Sequence, residues 1–184
     1  MTPRPQNTIV VVQGDHAVSR DPETVFSTVL GSCVAVCLHD PVATAGGMNH
    51  FLLPGEPANR QGRDIERYGV YLMEVLINDL MKIGARRERM QAKVFGGGNI
   101  LRGLGNIGSA NAEFARNFLR HEGIRVVAED LGGERARRVQ FWPASGRARA
   151  LCVAPEQKLA ASEAAQAGTI TRGAIPAGDM ELFT

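Results

Sequence analysis

Cys33 and His50 are the two side chains whose types and setting in this sequence could make a nucleophile and its base. A thiol attacks as its thiolate, so a reactive cysteine needs a base beside it or a field that lowers its pKa. An imidazole supplies that base, and the chemistry open to such a pair is acyl transfer on a carbonyl carbon. Most free cysteines are simply buried. Cys33, however, falls on the small, polar side of its run and follows Gly31-Ser32, whose backbone can bend and aim N–H groups at a developing oxyanion. Ser27 lies six residues upstream and in phase with Cys33, which makes it the hydroxyl expected to orient the imidazole. Thr28 is out of phase, and a bend at Gly31 would reverse the two.

Other constellations are weaker. Cys33, Cys37, His39 and His50 are metal-ligand types, but C-x3-C-x-H on an extended strand spreads successive ligands by roughly 6–7 Å, too far for one tetrahedral zinc. No metal site is expected. Cys152 reads as core. Gly103-Leu104-Gly105-Asn106-Ile107-Gly108 spells G-x-G-x-x-G, but it begins well after the preceding strand ends, whereas a dinucleotide fingerprint needs its first glycine at the strand's end. The basic clusters at 86–89 and 135–138 read as solvated surface, since aromatics are only 5% and no nucleic-acid module is visible.

The elements that must carry Cys33 and His50 follow from periodicity. Over 24–39 the even positions Phe26, Leu30, Val34, Val36 and Leu38 are apolar, while the odd positions are mostly small or polar. This period of two reads as strand with one core face and one working face. Asp40-Pro41 marks a turn, and a second strand is expected over 48–53. A loop over 40–43 would put Cys33 directly opposite His50, with Cβ atoms ~5 Å apart. A one-residue slip would send His50 to the other face. Ile65, Tyr68, Leu72, Leu76, Leu80 and Ile83 predict a helix over 65–83, N-capped by Asp64 and stopped by Gly84. Strands are expected at 9–13, 92–95 and 124–128, a helix at 110–121, and a closing hairpin at 139–142 and 148–153.

With 184 residues, 44% hydrophobic and 22% charged, the chain reads as one domain, 1–154, plus a loosely docked or mobile tail, 155–184. A net charge of +2 does not suggest a polyanionic partner. No apolar run approaches the ~20 residues that span a bilayer, and no secretory h-region follows the first residues. An odd count of three cysteines fits a reduced, cytoplasmic protein rather than a disulfide framework.

An ordered series of motifs then adds to this reading: L-G-S-C-V-A-V-C-L-H-D-P (30–41), G-G-M-N-H-F-L-L-P (46–54), R-Y-G (67–69), A-K-V-F-G-G-G (92–98), N-I-G-S-A-N (106–111), E-D-L-G-G (129–133) and R-R-V-Q-F (137–141). Over roughly residues 10–153 the sequence resembles the CheD family, the chemoreceptor glutamine deamidases of bacterial chemotaxis. The resemblance implies a cysteine nucleophile at Cys33 and a histidine at His50; with the backbone support read above for Gly31 and Ser32, the expected route from receptor glutamine to glutamate runs through a thioester. No metal or organic cofactor is implied. The family's triad is completed by a threonine upstream of the cysteine; the position six before Cys33 is Ser27 here, with Thr28 beside it. The implied fold is a layered α/β sandwich of mixed and antiparallel strands with two to three helices, similar to the deamidase domain of cytotoxic necrotizing factors. The implied partners are methyl-accepting chemotaxis receptors as substrate and the phosphatase CheC. The alternative, from a different class, is a non-catalytic adaptor that binds receptors and a CheC-type phosphatase.

Overall fold

The computed structural model describes residues 7–53, 62–100 and 106–153. Among these the chain runs β1 (Asn7–Val10), β2 (His16–Ser19), β3 (Thr24–Leu30), β4 (Val34–Asp40), β5 (Ala45–Asn49), α1 (Gly62–Lys82), a 3-10 turn (Arg87–Arg89), β6 (Gln91–Gly96), α2 (Ile107–His121), β7 (Arg125–Leu131), β8 (Arg137–Trp142) and β9 (Arg147–Cys152). The strands form two sheets, one in the order β1-β3-β8-β9 and one in the order β2-β5-β4-β6-β7. The β1–β3 and β6–β7 pairs are parallel and the other pairs antiparallel. The expected α/β sandwich of mixed strands is therefore what the residues build.

Two cores make three layers. Val34, Val36 and Leu38 of β4 pack with Leu72, Met73, Leu76, Ile77 and Leu80 of α1 and with Ala115 and Leu119 of α2. The α1 stripe recurs every three to four residues, as a helix covering one sheet face requires. At about 1.5–3 kcal/mol for each large side chain removed from water, it is a major tie between layers. On the other face of β4, Cys33, Ala35 and Cys37 meet Phe26 and Leu30 of β3 and Val139 and Phe141 of β8 between the two sheets. Small residues fill this side of β4 because a second sheet lies over it. The expected working face is thus buried like its opposite.

The run 24–39 is not one strand. Gly31-Ser32-Cys33 carry the chain out of the four-stranded sheet at Leu30 and into the five-stranded sheet at Val34. The even-numbered apolar residues consequently divide. Phe26 and Leu30 face the space between the sheets, while Val34, Val36 and Leu38 face the helices.

The β4–β5 register also differs from expectation. Asp40 pairs with Ala45 and Cys37 with Met48, so the connection is the four residues 41–44. Asp40 remains in the ladder because Arg86 N–H (2.8 Å) and the Arg89 guanidinium (2.7 and 2.9 Å) hold its carboxylate from below.

Helix α1 begins at Gly62, which places Asp64 inside it rather than at its cap. Gly84 stops it as expected. With φ at +101° it lets its own N–H reach Met81 O and lets Ala85 N–H reach Leu80 O. Strand β2 was not anticipated, being only His-Ala-Val-Ser, half-buried throughout. Cys152, read as core, is exposed at the end of edge strand β9. The tail 155–184 lies outside the described residues.

Candidate active site

The turn between the sheets presents Cys33, and the glycine-rich segment after β6 fixes that turn. Gly97 N–H donates to Cys33 O at 2.8 Å and Gly98 N–H to Gly31 O at 2.9 Å. Gly96 has φ +106°, and a Cβ there would lie 2.1 Å from Cys33 O, so only glycine permits the approach. The Asn111 amide, on the buried face of α2, donates to Ser32 O at 3.4 Å and accepts from Leu53 N–H at 2.8 Å. It thereby ties the cysteine turn to the segment that follows His50.

His50 sits where β5 leaves the ladder. Val36 N–H donates to the Asn49 side-chain oxygen at 3.0 Å. The backbone of His50 pairs instead with the loop before β2, its N–H to Asp15 O at 3.0 Å and its O from Gly14 N–H at 2.8 Å. Counting between the pairs Cys37–Met48 and Val34–Phe51 puts Ala35 opposite His50 and Leu52 opposite Cys33. His50 is thus the diagonal neighbour of Cys33, not its direct partner. Cβ atoms in such diagonals lie roughly 7 Å apart, still within reach of long side chains. The two-residue slip from the expected register preserves the face. Cys33 (1% exposed) and His50 (7% exposed) both lie buried on the side of the second sheet.

The imidazole is held at one nitrogen. His50 Nδ1 lies 2.9 Å from Thr28 Oγ1 and 3.3 Å from Val11 O. A carbonyl can only accept, so the Val11 contact places the ring proton on Nδ1. Nε2, which is buried and makes no hydrogen bond among the described residues, is left with its lone pair as proton acceptor. Burial lowers the His50 pKa, with the Val11 carbonyl working the other way, so the ring is neutral at neutral pH.

The hydroxyl on the ring is that of Thr28, and this replaces the expectation for Ser27. Ser27 alternates with Phe26 and Thr28 on β3, so its side chain faces away from the layer that holds His50. Phase was counted back from Cys33 along one strand, and the change of sheet at 31–33 breaks that phase.

Cys33 itself donates from Sγ to Gln13 Oε1 at 3.3 Å. Sequence reasoning placed Gln13 in a strand and gave it no role. It also missed Asn111, although a polar residue on the same stripe as Ala115 and Phe118 was a visible signal. The other thiol in this layer, Cys37, is pushed up by burial against the opposing pull of Lys93, which keeps it protonated and inert.

Among the described residues no three His, Cys, Asp or Glu side chains converge to hold a metal. Of the G-x-G-x-x-G run, 103–105 lie outside the described residues, and Gly108 is pressed against backbone, where a Cβ would lie 2.3 Å from Gly98 O. Three arginines of the two basic clusters are engaged: Arg87 with Glu74 and Glu122, Arg89 with Asp40, and Arg137 with Asp130.

Fold and site together define a layered α/β protein that gathers a thiol, an imidazole and a hydroxyl between two sheets. The family model described as "CheD chemotactic sensory transduction" matches residues 52–150. A protein of Acidiphilium cryptum, named probable chemoreceptor glutamine deamidase CheD, is 52% identical over 95% of this chain and 93% of its own length. Proteins of the same name from Caulobacter sp. (51% identical; 94% of this chain, 91% of theirs) and Rhizobium rhizogenes (56%; 83% and 85%) are similarly close. The chain belongs to the CheD family. A solved structure from Neisseria meningitidis, of the DUF152 family, overlaps 70% of this chain and 63% of its own with a TM-score of 0.42 at 12% identity, a likeness too slight to carry argument.

Proposed function

We propose that this protein is a chemoreceptor glutamine deamidase that converts receptor glutamine side chains to glutamate through a thioester on Cys33. The observation that carries the reading is the His50 ring, fixed through Nδ1 by Thr28 and Val11 with Nε2 bare, in the same buried layer as Cys33. The names of relatives at 51–56% identity supply the substrate class.

In this reaction His50 Nε2 takes the proton of Cys33 Sγ. The thiolate attacks Cδ of the substrate glutamine, forming the S–C bond and moving the carbonyl electron pair onto oxygen. Backbone N–H groups of the 31–33 turn stabilise that oxyanion. His50 returns its proton to the departing nitrogen, the C–N bond breaks, and ammonia leaves a thioester. Water attacks the thioester while Nε2 takes its proton. The S–C bond breaks, glutamate is released, and the thiol is restored. A neutral amide on a receptor helix has become a carboxylate, which alters charge pairing along that helix.

The reaction takes place in the cytoplasm, where receptor signalling helices lie; among the described residues no helix is long and apolar enough to cross a membrane. A CheC-type phosphatase is the second partner, as the family resemblance implies. The catalytic domain ends near residue 154, and a protein shortened within 155–184 is expected to keep its deamidation in vitro.

The test is to incubate the protein with a receptor cytoplasmic fragment and follow ammonia release and the mass gain of amide-to-acid conversion. Both are expected from the wild type and neither from Cys33→Ala. A Cys33→Ala protein that still deamidates ends the mechanism. One that loses deamidation yet gives full signalling output favours an adaptor.

A further inference from the structure

We infer that Gln13 is a catalytic residue, its side-chain amide being a donor to the Cys33 thiolate and to the oxyanion formed on the substrate. The inference rests on the deamidase reading and deepens it.

Gln13 stands in the loop between β1 and β2, half-buried, with Oε1 3.3 Å from Cys33 Sγ. The adjoining Gly14 N–H donates to His50 O at 2.8 Å, so the loop that carries the amide is pinned to the backbone of the base. Val11, two residues before Gln13, supplies the carbonyl that sets the His50 tautomer. A single short segment therefore meets both the sulfur and the imidazole.

The chemistry selects an amide here. The resting thiol is a donor and needs an acceptor, which Oε1 provides. Once the proton has passed to His50, the thiolate and then the substrate's oxyanion are acceptors and need donors. Of the uncharged side chains, an amide offers both ends within one planar group, and a half-turn about its terminal bond exchanges them. An oxyanion on a carbon bonded to sulfur lies within about 3 Å of that sulfur, the distance at which preorganised donors act. A side chain already 3.3 Å from Sγ is in range of both. Gln13 Nε2 makes no hydrogen bond among the described residues, so on that side no competing contact must break.

The deciding substitution is Gln13→Glu, which keeps the shape and an acceptor, removes the donor and sets a carboxylate against the sulfur; Gln13→Ala separates loss of the donor from the added charge. The prediction is a fall in kcat of about 100-fold or more, the scale of losing one oxyanion donor, with KM for the receptor fragment changed little. Iodoacetamide alkylation of Cys33 at neutral pH should slow about tenfold, the equivalent of one pKa unit. Gln13→Ala should lose kcat similarly, while its alkylation slows less because no carboxylate faces the thiolate. Thermal unfolding of each variant, run alongside, identifies one that fails to fold. In that event the folded variant's kcat decides, and for two misfolded variants Gln13→Asn, assayed for the same two rates, replaces them. A folded Gln13→Glu protein with wild-type kcat and wild-type alkylation overturns the assignment. Failure of the deamidase reading looks different: the wild type itself would release no ammonia, while slowed alkylation in Gln13→Glu and Gln13→Ala would still report the side chain's contact with the Cys33 sulfur.

Discussion

Thr28 Oγ1 meets His50 Nδ1 at 2.9 Å across the boundary between the two sheets. The contact joins β3 of one sheet to the end of β5 in the other, and it is buried. A hydroxyl in this position fixes the ring plane. Thr28→Ala is expected to lower kcat by about 10²-fold, the scale of general-base contributions, and Thr28→Ser to restore most of it. Ser27→Ala, one residue away on the opposite face, should retain wild-type turnover. Ammonia release from a receptor fragment measures all three.

The low His50 pKa gives a pH profile. Because burial disfavours the imidazolium, the base form persists below the ordinary value of 6.5, and the acid limb of kcat/KM should fall below that pH. Opening the pocket by Thr28→Ala, which removes buried packing around the ring, should move the limb back toward 6.5. An acid limb above 6.5 in the wild type would contradict the assignment of His50 as a buried neutral base.

Asn111 joins Ser32 O and Leu53 N–H from a fully buried position on α2. Asn111→Ala should cost about 1–3 kcal/mol in urea unfolding through the unmet backbone groups. Asn111→Asp, which sets a carboxylate oxygen against the Ser32 carbonyl, should cost more. Both should also slow Cys33 alkylation, because the turn that presents the sulfur loses its rear support.

Asp40 is buried beneath β4 with Arg89 on both oxygens and backbone N–H groups from Val42, Ala43 and Arg86. Burial alone would raise its pKa, but the Arg89 guanidinium and the three N–H groups outweigh it and hold the carboxyl well below its ordinary range. The folded pKa is depressed, so its stabilisation is complete above about pH 3.9 and is lost as pH falls through the lower folded value. Arg89→Ala should therefore destabilise by on the order of 3 kcal/mol at neutral pH. Without Arg89 the Asp40 pKa rises, so the gap to wild type in chemical denaturation should narrow as falling pH protonates Asp40 first in the variant and then in wild type.

Much of this architecture could be read from residue order. The α1 stripe from Leu72 to Leu80, the Gly84 stop and the β8–β9 hairpin fall close to where periodicity puts them. Cys33 and His50 were visible as a pair because they share a face, and face parity survives the two-residue slip in register. What could not be read was the third dimension of the Gly31-Ser32-Cys33 turn. Alternation along 24–39 looks the same whether one strand continues or two strands occupy different sheets, and that ambiguity selected Ser27 over Thr28. Gln13 was hidden for a related reason. Its contact with Cys33 spans twenty residues of chain, and nothing local to Val-Val-Gln marks it. Strand β2, four residues with no strong alternation, gave no signal of its own.

The change of sheet at 31–33 also makes catalysis a readout of complete folding. The sulfur rides on the seam between two leaves, and the ring that would activate it is steadied from the opposite leaf. A nascent or partly opened molecule could keep every strand and both helices and still be chemically silent.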